Sequence, residues 1–279
     1  MIKTINIKSG ETTNLYQYLS AAVTPRPIAF VSSIDAKGNK NLSPFSFFNV
    51  FSIKPPILVF SPVRRVRDNT SKHTLDNLHQ IKQCVISLVT EEIVQQVSLS
   101  SCDFNTEANE FVKAGFTEVN SDLITPPRIK ESPVNFECKV NDIISLGDQG
   151  GAGSLVICEV LKMHINKNIL DENNEIDPLK LNIVSRLGKD WYGKSTEESL
   201  YKIAKPISRI GMGIDNLPEK IRKSEILTGN ELAILASAEN IPEKIKFTLR
   251  DEKNTEEKHI LAKKLLNQGK NEEAWQLLL

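Results

Sequence analysis

The chain has 279 residues, with 35 Lys and Arg against 35 Asp and Glu, so its formal net charge is zero; 40% of residues are hydrophobic and 25% charged. That composition fits a globular protein with a real core, built as one large domain or as a main domain with a small appendage. It excludes the electrostatic footprint of a nucleic-acid or anionic-membrane binder, and no apolar run reaches membrane-spanning length.

The opening stretch, MIKTINIKSG, has no apolar signal core. Leu15 to Leu19 reads as a short lead-in helix or turn, and Ile28 to Ile34 as a strand rich in β-branched residues. Asp35-Ala36-Lys37-Gly38-Asn39 is a turn signal, after which Asn41 to Phe51 returns as one strand. Pro55-Pro56 opens the apolar strand Ile57 to Ser61. Thr74 to Lys82 is helical, Cys84 to Thr90 is a strand, and Glu91 to Ser101 is helical with Ile93, Val94 and Val97 on one face. Glu110 to Ala114 ends at Gly115, a helix stop. Val134 to Leu146 and Ser154 to Ile165 alternate like a long antiparallel pair. The loop between them, Gly147 to Gly153, is not G-x-G-x-x-G and joins no strand to a helix, so it reads as a wide hairpin loop. Leu181 to Arg186 is a last short strand. Antiparallel strands interleaved with short helices predict a mainly β fold, a closed antiparallel barrel with peripheral helices.

From Ser195 the pattern turns helical. Ser195-Thr196-Glu197-Glu198 is a capping-box pattern leading to Leu200 and Ile203, and Leu217 to Ile221 and Thr228 to Ala233 begin further helices. Residues 254–279 read as a helical hairpin broken at Gln268-Gly269-Lys270. The expected division is a barrel domain over 1–214 and a helical C-terminal extension over 215–279. The hairpin either packs on its own barrel or makes a subunit or partner contact, because so short a hairpin cannot bury its own apolar face.

Cys84, Cys102, Cys138 and Cys158 are scattered without a C-x-x-C pair, which argues against zinc and thioredoxin-type chemistry and fits a reducing cytoplasm. Cys84, Cys138 and Cys158 sit in apolar strand contexts and read as buried thiols. Cys102, within Ser100-Ser101-Cys102-Asp103, is placed to approach a ligand. His73, His79, His164 and His259 form no metal-binding pattern, His79 reads as solvated, and no G-x-S-x-G elbow is present. No metal site and no catalytic acid or base is assigned.

The chemistry concentrates in Asn41 to Asn77. Ser43 and Ser46 offer hydroxyls beside the flat rings of Phe45, Phe47 and Phe48, and Arg64, Arg65 and Arg67 form a basic turn. Thr70, Ser71 and Thr74 are cap-type residues at a helix start, where free N–H groups and the positive dipole end attract anions, and Lys72 adds a compact cation. A phosphorylated planar ligand suits such a wall; a surface helix cap beside an ordinary core strand is the plainer reading.

The order and spacing of several segments resemble the flavin reductase-like family, whose fold is an FMN-binding split barrel. They are Thr24-Pro25-Arg26-Pro27-Ile28-Ala29-Phe30-Val31-Ser32-Ser33, Asn41 to Asn49, Ser71-Lys72-His73-Thr74-Leu75-Asp76-Asn77, Pro126-Pro127-Arg128-Ile129, Ser132 to Lys139 and Arg186-Leu187-Gly188-Lys189-Asp190-Trp191-Tyr192. Where the family usually has Asp between the Lys and Thr of its phosphate motif, this chain has His73. The resemblance implies an NAD(P)H-dependent flavin oxidoreductase in which the cofactor carries the hydride chemistry. It implies FMN phosphate on Ser71, Lys72 and Thr74, and the isoalloxazine edge along Ser43, Pro44, Phe45 and Ser46. Ser32, Ser33 and Asn49 rank second, and Arg26 is either a rim residue or a nicotinamide contact. A homodimer with flavin at the subunit seam is also implied. Two rivals remain at this point: a flavin-binding protein without nicotinamide activity, serving storage, sensing or electron delivery, and a cofactor-free interaction module using its hairpin.

Overall fold

The structure is a computed structural model and describes residues 1–7, 15–105, 108–203, 210–247 and 253–279. Two compact units divide it, Met1–Tyr201 and Lys202–Leu279.

The first unit is built on a seven-stranded antiparallel sheet. Its strands are β1 (Ala29–Ile34), β2 (Lys40–Phe45), β3 (Phe48–Ile53), β4 (Pro56–Phe60), β5 (Gln83–Ser87), β8 (Val134–Ser145) and β9 (Ser154–Ile165), in the order β2-β1-β5-β8-β9-β4-β3. The pairs β6 (Glu118–Val119) with β7 (Arg128–Ile129), and β10 (Val184–Gly188) with β11 (Trp191–Lys194), lie outside it. The expected single strand Asn41 to Phe51 is therefore two strands, and they stand at opposite edges of the sheet. Only Ser46 and Phe47 join them. The three Cα–Cα steps from Phe45 to Phe48 span at most about 11 Å, so the sheet has to curl until its edges meet at that corner. Ser61 N–H donates to Phe47 O across it, at 2.8 Å. This is a split barrel.

The barrel's apolar filling comes from alternate residues of these strands, among them Val31, Phe45, Leu58, Phe60, Ile86 and Val140, closed by Leu75 and Leu78 of α2 (His73–Gln80). Cys84, Cys138 and Cys158 lie in this filling, fully buried, with the Sγ atoms of Cys84 and Cys158 3.8 Å apart. A second cluster, on the opposite face of β1 and β2, gathers Phe30, Leu42, Phe111 and Phe116 with Val97. It is covered by two helices, α3 (Val94–Leu99), shorter than the expected Glu91 to Ser101, and α4 (Glu110–Ala114). Gly115 ends α4 at φ 73°, the left-handed cap that glycine adopts without a Cβ penalty. The expected strand Leu181 to Arg186 begins later, at Val184, because Pro178–Leu181 forms a helical turn capped by Asp177. A helix α1 (Leu15–Ala22) leads in.

The β8–β9 hairpin runs in register from Val134↔Ile165 to Ser145↔Ser154, with two bulges. Its glycine-rich loop also braces the loop after β4. Arg64 N donates to Ala152 O at 2.9 Å, Gly151 N to Arg64 O at 3.0 Å, and Asn69 Nδ2 to Asp148 O at 2.9 Å. The approach is so close at Gly153 that a Cβ there would lie 2.5 Å from Ser61 Oγ.

The capping-box pattern at Ser195 closes only a turn: Thr196 and Ser199 bond each other's backbone and side chain, and no helix propagates through the described residues that follow. Residues 204–209 lie outside the described residues. In the second unit, helices Glu219–Arg222, Gly229–Ala236, Thr255–Asn267 and Asn271–Leu278 share a core of Leu217, Ile221, Leu235, Leu265, Trp275 and Leu277. The C-terminal hairpin thus buries its apolar face on helices of its own unit, which neither sequence reading of it anticipated. Among the described residues no helix is long and apolar enough to cross a membrane.

Candidate functional site

The barrel corner that closes the sheet also opens a cleft of about 270 Å³. Ser43, Pro44, Phe45, Ser46 and Phe47 of β2 and the corner line it together with Ser61, Val63, Lys72, Tyr16 and Ser101. Phe45 packs on the buried Phe60 with ring centroids 5.2 Å apart. Six of the residues singled out in the sequence, Ser43, Pro44, Phe45, Ser46, Phe47 and Lys72, therefore come together.

The polar end of the cleft is built around the start of α2. Lys72 occupies the N-cap position, but no side chain caps the helix. The expected hydroxyl caps are committed elsewhere. Ser71 Oγ donates to Asp76 Oδ1 at 2.6 Å, and Thr70 Oγ1 donates to Asp68 Oδ1 at 2.7 Å. Thr74 is buried and donates to Asn41 Oδ1 at 2.6 Å. Leu75 and Asp76 N–H reach back to Lys72 O, so the N–H groups of His73 and Thr74 stand at the open helix end.

Arg65, read in the sequence only as part of a basic turn, belongs to this end. It lines a narrow polar recess with Lys72, His73, Ser101, Cys102 and Asp103. Its Nη1 donates to Thr70 Oγ1 at 3.0 Å and to Ser71 O at 2.5 Å, which locks the loop onto α2. Its Nε is buried without a hydrogen-bond partner, and its guanidinium sits 3.5 Å from Asp103. Burial lowers the ammonium pKa of Lys72, and repulsion from Arg65 lowers it further; Asp103 opposes this, and Arg67 adds to it. Asp103 also meets Arg67 at 2.7 Å, so one carboxylate faces three cations. An orphaned guanidinium N–H, a desolvated ammonium and an open helix N-terminus fit an oxyanion. Asp68, pulled down to about 2 by the hydroxyl and N–H of Thr70, keeps the loop anchored as an anion over the working pH range.

The remaining sequence candidates lie apart. Ser32 and Ser33 are fully buried in β1; Ser33 Oγ accepts from Asn77 Nδ2 at 3.1 Å, while Ser32 Oγ has no partner. Asn49 is exposed on the edge strand β3, its Oδ1 accepting from Val50 N. Arg26 is buried and donates Nη1 to Ser20 O and to Val23 O, at 2.6 Å for the latter, clasping the C-terminal end of α1. Cys102 is exposed at the recess.

Among the described residues one trio, Asp122, Glu137 and His164, brings metal-ligand atoms within 4.8 Å of one another. Cations already occupy its surroundings: Lys162 Nζ lies 2.5 Å from Asp122 Oδ2, and Arg128 lies 3.7 Å from Asp122 and 3.9 Å from Glu137. Fully buried Glu137 accepts N–H bonds from Asp122 and Leu123 at 2.8 and 2.7 Å and faces His164 Nε2 at 2.7 Å, a clasp that ties the loop over 120–126 to β8.

Comparison with known proteins gives a consistent result. The flavin reductase like domain family matches residues 21–181. An uncharacterized protein of Aquifex aeolicus is 36% identical over 197 residues, covering 71% of this chain and 98% of the relative. Nitrilotriacetate monooxygenase component B from Bacillus cereus superposes with a TM-score of 0.67 at 26% identity, over 73% of this chain and 99% of that one. A protein with a split barrel domain from Shewanella frigidimarina superposes at 0.60 with 23% identity, over 71% and 96%. The second unit lies beyond the residues the family matches.

Proposed function

Because the chain belongs to the flavin reductase-like domain family, we propose that it is an oxidoreductase that binds FMN in the corner cleft and reduces it with NAD(P)H. The observation that carries the choice of FMN is the convergence of Arg65, Lys72 and the open end of α2 at one end of a cleft walled by Phe45 and by the hydroxyls of Ser43, Ser46 and Ser61. Arg65 and Lys72 hold the phosphate, with the N–H groups of His73 and Thr74 completing its shell. Ser43 to Ser46 orient the ring edge, and Phe45 and Val63 exclude water from it. Held there, FMN would supply two-electron chemistry with reduced nicotinamide as the donor.

We propose further that the working form is a homodimer. The cleft's 270 Å³ falls just short of the roughly 300–1,000 Å³ of pockets that enclose a ligand this size. Beside it the edge strand β3 exposes Val50, Phe51 and Ile53, with one ladder edge free. A second copy would cover both.

The test is to titrate FMN and riboflavin by fluorescence quenching. FMN is expected to bind about tenfold or more tightly, from charge-assisted contacts worth about 1.5–3 kcal/mol. Equal affinities would remove the phosphate assignment.

A further inference from the structure

A second cleft, of about 210 Å³, shares Pro44, Ser46 and Ser101 with the first. It is lined further by Ile28, Val97, Ser98, Arg186 and Tyr192.

Arg186 is set there by the backbone. It opposes Arg26 in an isolated antiparallel bridge, each N–H donating to the other's carbonyl at 3.0 and 2.9 Å. Directly opposed residues project side chains to one side, so two guanidiniums share a face. That of Arg26 is occupied by the carbonyls that end α1, where a cation meets the negative end of the helix dipole. That of Arg186 lies over the Tyr192 ring, 4.5 Å from its centroid, and gives Nη2 to Lys189 O at 2.5 Å. No carboxylate pairs with either arginine among the described residues; the ion pairs that are present all involve other groups. A guanidinium carries five N–H donors in a fixed fork. Much of that fork stays available, held by the tyrosine, in a cleft that offers the apolar surface of Ile28, Pro44 and Val97 beside the hydroxyls of Ser46, Ser98 and Ser101.

From this placement we infer that the second cleft binds a single flat ring bearing an oxyanion, its carboxylate gripped by Arg186 and its ring lying among Ile28, Pro44 and Val97. The inference rests on the flavin reading of the first cleft for its significance, since a ligand held here abuts the shared Pro44–Ser46 wall. At about 210 Å³ the second cleft has room for one ring. The same oxyanion chemistry has a second source, a phosphate of the nicotinamide nucleotide, and the experiment separates the two.

The probes are benzoate and its neutral isostere benzamide, titrated calorimetrically into the FMN-loaded protein. Benzoate is expected to bind about tenfold or more tightly than benzamide, from one charge-assisted fork. Arg186→Leu should erase that preference without changing benzamide binding, and Arg186→Lys should keep part of it; unchanged FMN affinity in both reports an intact corner. Equal binding of the two probes to wild type overturns the inference, and so does an Arg186→Leu protein that keeps the preference. A raised KM for NADH in Arg186→Leu with the benzoate preference intact assigns the guanidinium to the nucleotide phosphate and also overturns it. If Arg186→Leu fails to fold, the wild-type probe comparison and Arg186→Lys decide alone. A chain that binds no FMN yet discriminates the probes through Arg186 sinks the flavin reading and leaves the second cleft standing.

Discussion

Replacing Lys72 by Ala should move two properties in opposite directions. In the free protein the Lys72 ammonium is half-buried beside Arg65, with Arg67 near and only Asp103 in opposition, and its lowered pKa records that the charge is unwelcome there. Removing it relieves repulsion, so the unliganded protein should be as stable as wild type or slightly more so. In the FMN complex the same ammonium meets a dianionic phosphate, a charge-assisted contact worth about 1.5–3 kcal/mol, or roughly ten- to a hundredfold in affinity. Riboflavin has no phosphate, so its affinity should not change. The assays are urea unfolding of the unliganded variant and fluorescence titration with both flavins. Loss of affinity for both flavins in equal measure would mean that Lys72 shapes the cleft without touching phosphate. Unchanged FMN affinity would place the phosphate elsewhere.

Other expected outcomes follow from single contacts. Glu137→Gln leaves at least one of the two N–H donors of Asp122 and Leu123 without its carboxylate acceptor, and should cost about 2–3 kcal/mol in urea unfolding with FMN binding retained. Although burial pushes the Glu137 pKa up, the N–H donors of Asp122 and Leu123 and the contact with His164 bring it net below the ordinary value. The stability it contributes is therefore present above the ordinary Glu value and lost as pH falls through the depressed one, a slope that acid titration of Glu137→Gln should lack. Gly153→Ala puts a Cβ 2.5 Å from Ser61 Oγ; the hydroxyl can rotate away, so stability should change by less than about 1 kcal/mol while FMN affinity falls. Phe51→Glu places a charge on the exposed edge strand and should shift the light-scattering mass from twice the 31.2 kDa chain toward one chain; a wild-type mass of one chain at every concentration would dispose of the dimer itself.

The sequence carried the barrel well because its signals are local. Alternation in the β8–β9 pair, the apolar run of β4 and the glycine stop at Gly115 each act over a few residues. It did not carry the corner at Ser46–Phe47, because a strand that changes sheet edge keeps its β-type residues on both sides and differs only in its partners. The cap residues of α2 misled for a related reason. Thr74 and Ser71 have the right chemistry for capping, but Asn41 and Asp76 claim their hydroxyls, one from across the barrel. Arg65 was legible as a charge and not as a site, since its place depends on side-chain contacts with Thr70, Ser71 and Asp103 and on a recess shared with Lys72 and Ser101 that only the fold assembles. Glu137 looked like one polar position in an alternating strand; only its fold neighbours reveal a buried clasp. The helical hairpin was placed correctly, but its cover, Leu217, Ile221 and Leu235, comes from segments earlier in the chain, and the pairing of these apolar faces is not written in either segment alone.

The central claim is that this chain binds FMN and reduces it with a nicotinamide, and one anaerobic mixing experiment tests it. Purified protein loaded with FMN is combined with NADH or NADPH while the flavin's visible absorption band is followed. The band should bleach with at least one of the two, and faster than free FMN does under the same conditions. A band that persists with both, while a chemical reductant bleaches it promptly, would contradict the reductase reading and leave a protein that only holds its flavin.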